Sequence, residues 1–122
     1  MATRSTLRIK IKGNNHRGIY VHFVNYGYPS YMLDILKEHY DTEEKVNELL
    51  ELGDCSAIYE MVKPPEGVTH NFDNQYPDVT VAYHRDRGEE LRFSGDRGDQ
   101  EYNYVFTEKG WKIHDGLFNY TN

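Results

Sequence analysis

Apolar and basic residues alternate along Thr6-Leu7-Arg8-Ile9-Lys10-Ile11-Lys12, which predicts a half-buried strand with Leu7, Ile9 and Ile11 turned to a core. Gly13-Asn14-Asn15-His16-Arg17-Gly18 reads as a turn bounded by glycines. Residues 18–25 follow as a second strand of a hairpin, rich in aromatic and β-branched side chains. Ile19, Val21 and Phe23 share one of its faces, and Tyr20, His22 and Val24 the other. Tyr26-Gly27-Tyr28-Pro29 breaks that strand, because proline fixes its own φ and biases its predecessor away from helix. Met32, Leu33, Ile35, Leu36, His39 and Tyr40 then have helical spacing, predicting a helix over 31–40 with Ser30 as N-cap. Asp41 and Glu44 have the spacing of a capping box, Val46, Leu49 and Leu50 form an apolar stripe, and Gly53 fits a helix stop.

Periodicity is lost over 54–77, where Pro64-Pro65, Gly67, Asn71, Asn74 and Pro77 mark a long loop; such loops in small domains usually carry function or an interface. Strand character returns at Asp78–His84, with Val79, Val81 and Tyr83 on one face. Arg85-Asp86-Arg87-Gly88 reads as a turn and Glu90–Ser94 as a short return strand. Glu101–Thr107 and Gly110–Asp115 form a hairpin around Glu108-Lys109-Gly110. The expected architecture is α+β, in the order ββααβββ. It has a mostly antiparallel sheet of about five to six strands with two helices packed on one face.

The 122 residues, 14.4 kDa, make one domain spanning 1–122. Aromatic residues at 14% argue against a disordered chain despite 28% charged residues. No apolar run approaches the length of a membrane span, and Met1–Thr6 is not followed by the apolar core of a signal peptide. A single cysteine, Cys55, excludes an internal disulfide framework and a multi-thiolate metal site, and suits a reducing cytoplasm.

Charge is unevenly placed. Residues 1–33 hold Arg4, Arg8, Lys10, Lys12 and Arg17 and no Asp or Glu, a balance of +5. The remainder has 9 of the 14 basic residues against all 20 acidic ones, −11. So acidic a chain does not coat a nucleic-acid polymer, which demands a broad cationic face. Five cations can hold one small anion, such as a nucleotide, or they can pair with an acidic helix; both readings stand. The 11 tyrosines suit a ligand pocket or a subunit interface, since each buries a ring while keeping a hydroxyl for a hydrogen bond.

The six histidines show no i, i+4 pair, and no HExxH, GxSxG, P-loop or GxGxxG occurs, so neither a metal nor a cofactor is expected. Cys55 follows a helix end, where the dipole disfavours a thiolate. Tyr83-His84-Arg85-Asp86-Arg87-Gly88 is the sharper signal. Its arginines offer planar forks for phosphate, Tyr83 or His84 can stack on a base, and Gly88 permits close backbone approach. The competing reading is a solvated turn in which Asp86 pairs with an arginine. Thr3-Arg4-Ser5 is likewise a phosphate-gripping strand entrance or a frayed basic terminus.

Thr3-Arg4-Ser5-Thr6, Ile19-Tyr20-Val21-His22-Phe23 running into Gly27-Tyr28-Pro29, Glu38-His39-Tyr40, Lys45-Val46 to Leu52-Gly53-Asp54, and Val79 through Gly88 together resemble a family of small phage-encoded proteins. The likeness covers residues 3 to about 90 and extends to the phage Thoeris anti-defence sponges. The chain departs from that pattern at Asn25-Tyr26, where an Asp would directly precede the Gly-Tyr-Pro turn. The resemblance implies sequestration without chemistry. Such a sponge is a homo-oligomer in the cytoplasm of the infected bacterial host. It binds cyclic ADP-ribose-type signals, made by TIR-domain proteins, in pockets between subunits. On that reading Arg4, Arg85 and Arg87 hold phosphates, Tyr28 and His84 contact base or ribose, and Ser5 and His22 supply hydrogen bonds. Two rival readings stand. One is a protein-binding inhibitor of a host defence complex or nuclease, acting through the acidic helix over 42–52. The other is a nucleotide-cleaving enzyme with His22 and His84 as acid and base.

Overall fold

Strand β1 (Ser5–Lys10) is the alternating segment, and Leu7 and Ile9 turn inward from it as their spacing predicts. A computed structural model describes residues 4–22 and 29–114. Antiparallel to β1 runs β2 (Ile19–Val21), with Leu7 opposite Ile19 and Ser5 opposite Val21 on one face. On the other side of β1 lies β5 (Tyr102–Thr107), in parallel, with Leu7 beside Tyr104 and Ile9 beside Phe106. Short strands β3 (Cys55–Ala57) and β4 (Val81–Ala82) extend the sheet beyond β2, and β6 (Gly110–His114) closes the far side in the expected hairpin with β5. The six strands lie in the order β4-β3-β2-β1-β5-β6.

The α+β class is as expected, but the sheet is mixed rather than mostly antiparallel. The β1–β5 and β2–β3 pairs are both parallel. Parallel neighbours require a long crossover, and the β2–β3 crossover carries two helices, α1 (Pro29–His39) and α2 (Glu43–Leu50). Helix α1 starts at Pro29, placing Ser30 inside its first turn instead of at the cap; proline suits that position, where its missing N–H has no intrahelical partner. Thr42, not Asp41, caps α2, its hydroxyl accepting from the Lys45 N–H at 3.2 Å. Met32, Ile35 and Leu36 of α1 and Val46, Leu49 and Leu50 of α2 join the cluster formed by Leu7, Ile19, Val21, Tyr104, Phe106 and Trp111. Two aromatic polar groups inside it are satisfied: Trp111 Nε1 donates to the Tyr40 carbonyl at 2.7 Å, and the Tyr40 hydroxyl to the Tyr59 carbonyl at 2.6 Å. Among the described residues no helix is long and apolar enough to cross a membrane.

Three further expectations are corrected. Only Val81 and Ala82 of the expected 78–84 strand are extended; Tyr83–Arg87 forms a short helix, α3, ended by Gly88 at φ 81°. The Asp86 carboxylate reaches back to accept the Ala82 N–H at 2.8 Å and so ties this turn to the end of β4. Residues 54–77 are not structureless: β3 lies there, and Met61 forms a single bridge with Val79. Residues 90–94 form no strand, and their backbone closes the ends of β2 and β3 instead. The Asp54 N–H donates to the Arg92 carbonyl at 2.8 Å, and the Gly95 N–H to that of Gly18 at 3.1 Å. Gly95 passes so close to Ile19 that any Cβ would collide with that residue's backbone.

Candidate functional site

Because side chains alternate along β2, Tyr20 points away from the face that buries Ile19 and Val21. Beside it is a cavity of about 250 Å³, lined by Tyr20, by Asp54 at the entrance of β3, by Tyr83 and His84 of α3, and by Glu89, Glu90 and Arg92 of the segment that follows. Asp54 joins its walls. One carboxylate oxygen, Oδ1, accepts the N–H groups of Tyr20 at 2.9 Å and Ser94 at 2.8 Å, while the Asp54 carbonyl accepts the N–H of Tyr83 at 3.2 Å.

The rings are similarly held. Tyr83 stacks on Phe72 with centroids 6.0 Å apart and planes inclined by 24°. Burial raises the pKa of the Tyr83 hydroxyl despite a hydrogen bond to Ser56, so at neutral pH it keeps its proton. Tyr20 shares a 2.9 Å hydrogen bond with His22 Nδ1, which places His22 directly behind it. His84 Nδ1 donates to the Glu89 carbonyl at 2.6 Å, since a carbonyl can only accept. That bond leaves Nε2 as the ring's free nitrogen.

Of the seven residues singled out from sequence, His84 lines this cleft. Arg4 is exposed at the start of β1, its carbonyl accepting the Tyr102 N–H at 3.4 Å. Ser5 is fully buried on the helix-covered face, opposite Val21, and among the described residues its hydroxyl has no partner. Tyr28 lies outside the described residues. Arg85 faces inward: Nε and Nη2 donate to the two oxygens of Asp86 at 2.8 and 2.9 Å, Nη2 also to the Thr80 carbonyl at 2.7 Å, and Nη1 to that of Val62 at 2.5 Å. Its fork is therefore already occupied by a carboxylate, as the solvated-turn reading had it, although Asp86 itself is buried. Arg87 lies 4.8 Å over the Phe72 ring and pairs with Glu89 at 3.2 Å. β1, which Arg4 directly precedes, and β4, which leads into the α3 helix of Arg85, are three strand spacings apart, roughly 14 Å.

His70 completes the buried network around Asp86. It is wholly enclosed, with Nδ1 accepting the Tyr76 N–H at 2.9 Å, so Nε2 carries the proton and faces the Thr80 carbonyl at 3.2 Å and Asp86 at 3.4 Å. This network fastens the 60–80 loop to α3. Cys55 is buried, its thiol pKa is pushed up by burial, and it donates to the Gly53 carbonyl at 3.3 Å.

Tyr20 was visible in the sequence as one of the residues on the face of the second strand opposite Ile19 and Val21. Asp54, Glu89 and Glu90 carried no such signal, because nothing separates them from the general acidic background, and Arg92 lay in a segment read as a short strand. No protein-family model, curated protein or solved structure matches this chain.

Proposed function

We propose that this chain binds and sequesters a small cyclic nucleotide signal of the cyclic ADP-ribose type without cleaving it. It would act in the manner of the phage anti-defence sponges that its sequence resembles. The observation that carries the reading is the cleft between Tyr20 and Tyr83. Two phenol rings, one stacked and one hydrogen-bonded from behind, stand at a cavity whose walls Asp54 ties together. Sequestration depends on slow release, and a pocket already ordered before the ligand arrives loses little entropy on binding. His22 and His84, the pair an enzyme would use, have different tasks: His22 backs Tyr20 and His84 holds the Glu89 carbonyl. In this reading a second copy completes the pocket, and Arg4 and Arg87 supply the phosphate contacts that Arg85 does not.

The test is incubation with the nucleotide product of a TIR enzyme, followed by removal of the protein and heat release. Depletion of the signal with recovery of intact ligand is the expected result. Recovery of a cleaved product would replace the proposal with an enzyme, and no depletion would reject it. Native mass spectrometry of protein from cells with an active TIR enzyme reads subunit number and retained ligand together.

A further inference from the structure

The cleft's hydrogen-bonding sense is the reverse of an anion site. Phosphate is held by backbone N–H groups and arginine forks, but in this fold the protein's own aspartates already take those donors. Asp54 accepts the amides of Tyr20 and Ser94. Asp86 accepts the Ala82 amide and the Arg85 fork. Asp96 accepts the Gly18 amide at 2.5 Å and pairs with Arg17 at 3.1 Å. What faces the cavity is mostly lone pairs. Among the described residues Asp54 Oδ2 has no hydrogen bond. Glu90 is only loosely approached by Arg92, at 3.8 Å, and Glu89, beside it, is paired with Arg87 at 3.2 Å. Against them the lining offers Arg92 and the Tyr20 and Tyr83 hydroxyls as donors. Three carboxylates against two guanidiniums, Arg92 and the Arg87 bound to Glu89, leave a net negative wall that disfavours a phosphate group and attracts N–H and O–H donors.

Size narrows the occupant. At about 250 Å³ the cavity falls just below the roughly 300–1,000 Å³ typical of drug-sized ligands, so it admits one ring system and not a whole dinucleotide. Tyrosine faces favour a flat heterocycle, whose stacking on aromatic rings is tolerant of base identity. Carboxylates add selectivity for bases that carry an amine, because a charge-assisted hydrogen bond is lost when the amine is absent.

We infer that the Tyr20–Tyr83 cleft recognises the amine-bearing purine nucleoside end of a ligand through Glu89, Glu90 and Asp54, and leaves any phosphate outside. This rests on the sequestration reading and names which part of the signal enters. The experiment is isothermal titration of the full chain with adenosine, guanosine, purine riboside (which lacks the amine) and inorganic pyrophosphate, repeated on Glu90→Gln. An amine-bearing nucleoside should bind at least about tenfold tighter than purine riboside, the loss expected for one charged hydrogen bond. Pyrophosphate should neither bind in the cleft nor compete. Glu90→Gln, at an exposed position, should leave purine riboside binding unchanged while shrinking the amine preference several-fold. Equal affinity for purine riboside, competition by pyrophosphate, or failure of both amine-bearing nucleosides to bind would each overturn the inference. Signal depletion without nucleoside binding leaves the sponge and sinks this assignment; nucleoside binding without signal depletion does the opposite.

Discussion

Replacing Asp86 with asparagine should cost this fold about 3 kcal/mol, a change of one atom's chemistry with almost no change of shape. The Asp86 side chain is 2% exposed, accepts from Ala82 and twice from Arg85, and has His70 Nε2 3.4 Å away. Asparagine keeps one acceptor oxygen, turns an NH₂ toward a guanidinium, and leaves the Arg85 charge without its counter-charge. Breaking a buried pair from one side typically costs ~3–5 kcal/mol. Arg85 is 28% exposed, so water recovers part of that, and the lower end applies. Against a typical stability of about 5–15 kcal/mol the loss is large. In melting temperature it corresponds to a drop of roughly 10–15 °C for a chain of this size. Urea unfolding followed by circular dichroism measures it as a shifted midpoint at constant slope. Asp96→Asn is the control: its pairing with Arg17 is half exposed, and a loss of no more than about 1 kcal/mol is expected. If Asp86→Asn costs less than about 1 kcal/mol, or no more than Asp96→Asn, the network is not the clasp described above.

Three other outcomes are expected. Burial pushes the Tyr40 hydroxyl pKa up to about 12 from 10.0, so the folded state holds this proton more tightly than the unfolded chain does. The associated stability is fully present below pH 10 and is lost as pH rises towards 12, at up to about 1.4 kcal/mol per pH unit, which denaturant midpoints at pH 8, 10 and 11 will show. Gly95→Ala forces a Cβ into the Ile19 backbone, and a loss of more than ~2 kcal/mol is expected by thermal unfolding. Asp78, at φ 66°, is the one non-glycine residue with positive φ among those described; Asp78→Val should cost about 1–2 kcal/mol in chemical unfolding, whereas Asp78→Gly should stay within about 0.5 kcal/mol of the parent.

What the sequence reveals here is what short-range periodicity encodes. The alternation from Thr6, as a strand that ends at Lys10, the stripes at Met32–Tyr40 and Val46–Leu50, and the hairpin around Glu108–Gly110 stand in the structure. Strand direction does not follow from alternation, which is why the two parallel pairings were missed. Tyr83–Arg87 read as strand and turn because Val79, Val81 and Tyr83 keep period two, whereas in the fold the Asp86 carboxylate ties the segment back to the Ala82 N–H and Gly88 ends it as a short helix. The site was half legible for a related reason. Charge counts locate arginines but not what they face. Asp86 stands next to Arg85 in sequence, yet the burial that makes the pair structural comes from His70, Thr80 and Val62, whose placement depends on the whole 60–80 loop.

The role of Asp54 has a consequence for how such a scaffold changes ligand. Its Oδ1 stands at the focus of two amides from different segments, and the side chain alone fills that spot. Asp54→Gly would empty it without removing either amide. Acetate or formate added to the buffer should then restore stability to the truncated protein in a concentration-dependent way, as chemical rescue. A free carboxylate would take the seat of a tethered one, so that a single codon change could turn a strut of the architecture into a receptor.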